Sequence, residues 1–73
     1  MTGMKYIVVD DGGFELPELF HQVVQHTTAA RGRKVVGAGF FDGTHAGGES
    51  VGLGIKSRPV DTEIIRSALR TSL

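Results

Sequence analysis

The sequence lacks cysteine, and its eight basic side chains are balanced by eight acidic ones. Without cysteine there is no disulfide framework, no thiolate zinc site and no cysteine nucleophile, and a reducing cytoplasm is the expected setting. A formal net charge of zero argues against the diffuse basic surface that gives general affinity for nucleic acid. No apolar run approaches the roughly 20 residues that span a bilayer. We therefore expect a cytoplasmic protein without a membrane span.

The chain is short, with 73 residues, which is enough for one small domain and too few for two. Below roughly 70–80 residues a single hydrophobic core contributes only about 3–5 kcal/mol. We expect a disordered leader over residues 1–4, followed by a single domain over residues 5–73. Such a domain is marginally stable alone, so burial of surface between subunits would add stability.

The first part of the chain predicts a strand followed by a helix. Lys5–Asp10 is rich in β-branched and aromatic residues, which predicts a strand covered on both faces. Apolar residues then recur every three or four positions from Leu16 to Ala30, and Pro17 suits a first helical turn. This pattern predicts an amphipathic helix that ends beside Gly32.

The second part predicts a hairpin and a helix. Lys34–Asp42 and Ser50–Ser57 both alternate apolar and small residues, which is typical of strands. A polar loop joins them, and a helix follows Pro59. The element order is then β-α-β-β-α. Because a β-α-β unit favours parallel strands and the hairpin adds an antiparallel one, we expect an α+β fold with a three-stranded mixed sheet, of strand order 1-2-3 or 2-3-1, and two helices packed on it.

Glycine is the compositional outlier, because eleven of the 73 residues are glycine, about twice the usual share of roughly 7%. Glycine inside a strand costs roughly 0.5–1 kcal/mol relative to alanine. Three explanations are open for a bare strand face: a helix of the same chain, a docked partner chain, or a flat ligand. The candidate binding face consists of the glycines that share one parity in the predicted hairpin: Gly37, Gly39, Gly52 and Gly54.

Acidic residues follow both ends of the predicted parallel pair. Asp10 and Asp11 end the first strand, Asp42 ends the second, and His45 lies in the next loop. Carboxyl ends of parallel strands share one edge, and carboxylates are ligands for hard cations such as Mg²⁺. Aspartate is equally a standard turn residue. Turn formation is favoured, and a metal site formed by these four residues is the alternative.

Basic residues form two short clusters. Arg31, Arg33 and Lys34 precede the second strand, while Lys56 and Arg58 end the third. On the expected topology both clusters lie at one edge of the sheet and form an anion-binding corner. The simpler interpretation is helix-end compensation and solubility.

Three segments carry a resemblance: KYIVVDDGG at 5–13, KVVGAGFF at 34–41 and ESVGLGIKSRPVDTEII at 49–65. Together they resemble segments of small uncharacterised proteins encoded by bacteriophages and prophages. The resemblance implies a bacterial cytoplasmic setting and brings no site residues.

The leading hypothesis is an accessory protein that associates with itself or with another protein, without catalysis. No catalytic residue and no cofactor is predicted. We expect no interaction with a membrane, and we do not expect nucleic acid to be the main partner. The first alternative is a metal-dependent phosphoester or nucleotide enzyme at the acidic edge. The second is weak nucleic-acid binding through the basic corner, which would weaken steeply with salt.

Overall fold

The computed structural model describes residues 3–71 of the chain, and its fold is α+β, as the sequence predicts. A four-stranded antiparallel sheet has the order β2-β1-β3-β4, and β5 and β6 form a second, two-stranded sheet. The elements are β1 (Met4–Asp11), β2 (Phe14–Phe20), α1 (His26–Ala30), β3 (Val35–Phe41), β4 (Ala46–Gly47), β5 (Glu49–Ser50), β6 (Ile55–Lys56) and α2 (Pro59–Thr71). The predicted three-stranded mixed sheet is therefore wrong in strand number, order and direction.

The chain reverses directly after β1 and forms a hairpin with β2. Gly12 and Gly13 have φ angles of 63° and 95°, a left-handed pair that glycine adopts without strain. Two such residues form the turn that matches the twist of paired strands, and Asp11 pairs with Phe14 across it. Asp10 Oδ1 accepts the Gly13 N–H at 3.0 Å. The pair of glycines thus starts a hairpin, whereas we expected a helix after it.

The predicted helix from Leu16 to Ala30 is wrong over its first half. Phe14–Phe20 is strand β2, and only His26–Ala30 is helical. Apolar residues in a short segment satisfy both a helical and a strand spacing, and here pairing with β1 decides. The predicted end beside Gly32 is confirmed, because Arg31 and Gly32 both have positive φ.

β1 begins at Met4, inside the segment that we expected to be a leader; Met1 and Thr2 lie outside the described residues. β1 is antiparallel to β3, with Met4 opposite Phe41 and Val9 opposite Val35. The predicted parallel pairing is wrong because the hairpin reverses the chain before α1 begins. The segment through α1 then returns the chain to the sheet, so β3 runs in the direction of β2.

The predicted strand Ser50–Ser57 is wrong in its middle. Residues 51–54 form a turn, in which the Gly54 N–H donates to the Ser50 carbonyl at 2.9 Å and Gly54 has a φ of 68°. Only Glu49–Ser50 and Ile55–Lys56 pair as strands. The helix predicted after Pro59 is confirmed as α2.

The core has two layers, one on each face of the main sheet. On one face Tyr6, Val8 and Phe41 pack with Ile65 of α2. On the other face Ile7, Val9 and Ala38 pack with Ala30 of α1, and β6 and the turn before it supply partly buried side chains. β1 is thus covered on both sides, as its apolar run predicts.

Candidate binding surfaces

The predicted basic corner is not formed. Arg33 pairs with Glu18, and Arg33 Nη2 is 2.8 Å from Glu18 Oε1. Glu18 lies opposite Ile7, so this ion pair is on the α1 face of the sheet. Arg58 lies on the α2 face, where its Nη2 is 2.8 Å from both Glu15 Oε1 and Asp61 Oδ1. Arg33 of the first cluster and Arg58 of the second therefore lie on opposite faces of the sheet.

The remaining cations of the two clusters are dispersed. Lys34 Nζ is 3.4 Å from Asp10 Oδ2. Arg31 and Lys56 are exposed and have no ion pair among residues 3–71. The Arg33 guanidinium also holds the pKa of the Glu18 carboxyl below its usual value. These arginines satisfy the chain's own carboxylates, so no concentrated positive patch results.

The acidic residues are also separated. Asp10 and Asp11 end β1, while Asp42 and His45 lie beyond Phe41, which pairs with Met4 at the start of β1. The antiparallel direction of β3 places the length of β1 between the two groups. Within residues 3–71 no three histidine, cysteine, aspartate or glutamate side chains are close enough to hold a metal ion.

Both ends use aspartate to form turns. Asp42 Oδ1 accepts the backbone N–H groups of Thr44 and His45 at 2.8 and 2.7 Å. These bonds lower the pKa of Asp42, and the Gly13 N–H lowers the pKa of Asp10. The geometry agrees with the turn interpretation of these residues and brings no metal ligands together.

The four glycines do not share one open face. A Cβ atom at Gly37 would overlap the Asp61 carboxylate of α2, and one at Gly39 would overlap the Gly47 carbonyl. Gly52 and Gly54 lie in the turn of residues 51–54. The chain itself therefore covers the glycine face of β3: at Gly37 by a helix, as in the first of the three explanations, and at Gly39 by β4.

A buried polar network at the start of α2 was missed by the sequence analysis. Asp61 is fully buried, and its Oδ2 accepts the Tyr6 hydroxyl at 2.7 Å and the Arg58 N–H at 3.0 Å. The single Tyr6 proton goes to Asp61, so the Ser57 hydroxyl, 2.7 Å away, donates to Tyr6. Burial raises the pKa of the Tyr6 hydroxyl.

This network is a helix cap extended into the core. Asp61 reaches back to the N–H three residues before it, as the acidic residue of a capping box does, and Pro59 occupies the first helical position. Proline followed two residues later by aspartate was the available signal. Among residues 3–71 no buried side-chain polar atom lacks a partner, so the network is complete within the chain.

An open groove runs between β2 and α2. Its volume is about 470 Å³. The central lining residues are apolar: Leu16, Pro17, Val60, Ile64 and Ala68. Val60 is 50% exposed, whereas Leu16 pairs with Val9 and carries its side chain on the α1 face, so only its backbone borders the groove. The acids at its rim are paired within the chain: Glu15 with Arg58, which Asp61 also contacts, and Glu63 with Arg70.

Pro17 lies on the outer edge of β2. The Asp10 N–H donates to the carbonyl of Lys34, which directly precedes β3. Backbone groups of successive residues in an antiparallel strand point to alternate neighbours, so even-numbered residues of β1 bond to β3 and odd-numbered ones bond to β2. Val8 pairs with Pro17, and the backbone of Pro17 therefore points away from β1. Since proline has no N–H, the middle of this edge lacks a donor for a further strand.

A second cleft, of about 510 Å³, lies on the α1 face. It is lined by Lys5, Gln25, His26, Thr27, Phe40 and residues 49–52. His26 is buried between Phe20 and Phe40, with ring centroids 5.4 and 5.7 Å away in edge-to-face arrangement. Its Nε2 is 2.9 Å from the Gly39 carbonyl, which only accepts, so Nε2 carries a proton and donates.

Compared with protein-family models, curated proteins and solved structures, the chain matches none. Over residues 3–71, neither helix is long and apolar enough to cross a bilayer.

Proposed function

We propose that this protein is a non-catalytic association module that pairs with a second copy of itself through the groove between β2 and α2. The observation that carries the proposal is an apolar groove in which half-exposed Val60 lies beside Pro17 and Ile64, with rim acids already paired within the chain. A second copy brings the same arginine-paired acids at its rim, and this pairing lessens the repulsion between the two copies.

The mode of pairing is side-chain packing. A strand added to β2 would meet Pro17, which offers no N–H at the centre of the edge. Val60 and Ile64 of one copy instead pack against the groove of the other in a two-fold arrangement. The small core makes such burial valuable, because association stabilises the folded chain by mass action.

The bacterial cytoplasmic setting implied by the phage and prophage resemblance belongs to the same proposal. An accessory role in that setting requires neither a metal nor a catalytic group. Of the two alternatives, the metal-dependent enzyme needs acids that lie at opposite ends of β1, and nucleic-acid binding needs Arg33 and Arg58 together, which lie on opposite faces. Neither alternative gains an observation in its favour.

The decisive experiment measures molar mass by size-exclusion chromatography with light scattering across micromolar concentrations. We expect a concentration-dependent dimer. Val60→Glu places an unpaired carboxylate in the apolar groove, and burial of an unpaired charge weakens the dimer at least about tenfold.

Val51→Glu is the matched control, because Val51 is 84% exposed and lies in the turn on the other face of the sheet. It should leave the dimer unchanged. A strict monomer for the native chain, or equal effects of Val60→Glu and Val51→Glu, would contradict the proposal.

A further inference from the structure

The cleft on the α1 face contains polar groups that the chain does not use for its own bonding. Gln25 precedes α1, and its side chain makes no capping bond. Within the described part of the chain, the Gln25 amide and the Glu49 carboxylate have neither a hydrogen bond nor an ion pair. An amide and a carboxylate at one cleft offer both donors and acceptors to an incoming molecule.

An aromatic surface lies beside these groups. Phe40 is 45% exposed, and Lys5 pairs with it across β1 and β3. His26 is held by its bond to the Gly39 carbonyl and contacts the Phe40 ring edge to face. Because His26 is anchored in this way, Phe40 is a preformed surface for stacking.

The charges of the cleft select the ligand class. Lys5 contributes one positive charge, already bonded to the Val24 carbonyl at 3.0 Å, and Glu49 contributes one negative charge. A phosphate would meet the Glu49 carboxylate and only one engaged ammonium. An uncharged planar molecule with donors and acceptors on its edge meets no such repulsion, and the volume lies in the roughly 300–1,000 Å³ range of small-molecule sites.

We propose that this cleft binds a nucleobase or nucleoside, stacked on Phe40 with its polar edge toward Gln25 and Glu49. Amide and carboxylate side chains are the groups that pair with the exocyclic amines and ring nitrogens of bases. The cleft lies on the face opposite α2, so this site does not depend on the proposed dimer.

The test is a titration of the ¹⁵N-labelled full chain with each of the four common ribonucleosides, and with AMP as a phosphate-bearing comparison. We expect saturable amide shifts at millimolar concentration, centred on Lys5, Phe40 and the segments 25–27 and 49–52, with AMP weaker than adenosine. Absence of saturation with every nucleoside would overturn the proposal. Tighter binding of AMP would overturn the ligand class.

Two variants test the contacts. Gln25→Ala removes the amide and Phe40→Leu removes the aromatic ring while keeping an apolar side chain, and each should weaken binding about tenfold. Thr28→Ala is the control, since Thr28 is exposed on α1 and does not line the cleft. Equal affinities for Gln25→Ala and Thr28→Ala would contradict the contact. Repeating the titration on Val60→Glu, which weakens the proposed dimer, should give the same nucleoside affinity as the native chain, because the cleft lies on the other face of the sheet.

Discussion

At the scale of single residues, Asp61 explains the glycine that lies opposite it. A buried carboxylate is tolerated when donors surround it, and Asp61 accepts from Tyr6 and from the backbone and guanidinium of Arg58. The carboxylate fills the space above Gly37. This glycine is thus required by packing within the chain.

Gly37→Ala should therefore lower the free energy of unfolding by about 1–3 kcal/mol, because the added Cβ overlaps the Asp61 carboxylate. Urea unfolding followed by circular dichroism measures the change. Gly47→Ala is the matched control: it adds the same methyl group where no atom lies within 4 Å, and its φ is not in the left-handed region.

Asp61→Ala provides the second arm of a double-mutant cycle. On its own it removes the capping bonds and destabilises the fold. If Asp61 causes the penalty at Gly37, adding Gly37→Ala to Asp61→Ala should cost less than adding it to the native chain. Additive effects would contradict the assignment.

At the scale of elements, β2 is an edge strand with a built-in block. Its outward backbone positions include Pro17, which cannot donate a hydrogen bond. Proteins protect exposed sheet edges by such means, since an open edge templates pairing with other chains. The missing donor disfavours strand addition at this edge, which is consistent with the proposed association through the groove beside α2.

Pro17→Thr restores the missing N–H with a residue of high strand propensity. We expect species larger than a dimer to appear with increasing concentration, detected by light scattering. Pro59→Thr is the control, because Pro59 begins α2 and lies outside the sheet ladder. An unchanged mass distribution for Pro17→Thr would show that the proline does not protect the edge.

At the scale of the whole molecule, ion pairs link the layers around the core. Arg33, which follows α1, pairs with Glu18 of β2, and Arg58, at the start of α2, pairs with Glu15 of the same strand. Partly exposed pairs of this kind contribute roughly 0–1 kcal/mol each. The apolar core therefore dominates stability, and the carboxylates modulate it with pH.

Stability should fall in acid. The pKa of Glu18 is lowered by Arg33, that of Asp10 by the Gly13 N–H, and that of Asp42 by the His45 and Thr44 N–H groups. A lowered folded-state pKa means that the unfolded chain binds more protons, so stability rises with pH in this range. The contribution is complete above the unfolded values of about 4 and is lost as pH falls through the folded values.

Urea midpoints between pH 7 and pH 3 test this expectation. The midpoint should decline only below about pH 5. Glu18→Gln should lower the midpoint at pH 7 and reduce its dependence on acid, because one of the stabilised carboxylates is gone. A midpoint that stays constant or rises as the solution is acidified would contradict the assignment.

Much of the architecture is readable along the chain, and the limits have physical causes. The apolar run of β1, the alternation of Ala38 and Phe40 with glycine in β3, and α2 after Pro59 follow from local pattern. The spacing of Leu16, Leu19 and Phe20 suits a helix as well as a strand, so only the pairing partner decides. Because the structure has a hairpin where we expected a helix, the acidic residues and the basic residues do not meet at the predicted edges of the sheet.

The sequence by itself determined the absence of cysteine chemistry, the buried strand β1, the glycine-bearing strand β3 and the C-terminal helix, because these depend on composition and short-range periodicity. The tertiary structure decided the direction of β3, the separation of Asp10 from Asp42, and the burial of Asp61 over Gly37. These features depend on which elements pack together, and that is set by long-range pairing after the turn at Gly12 and Gly13.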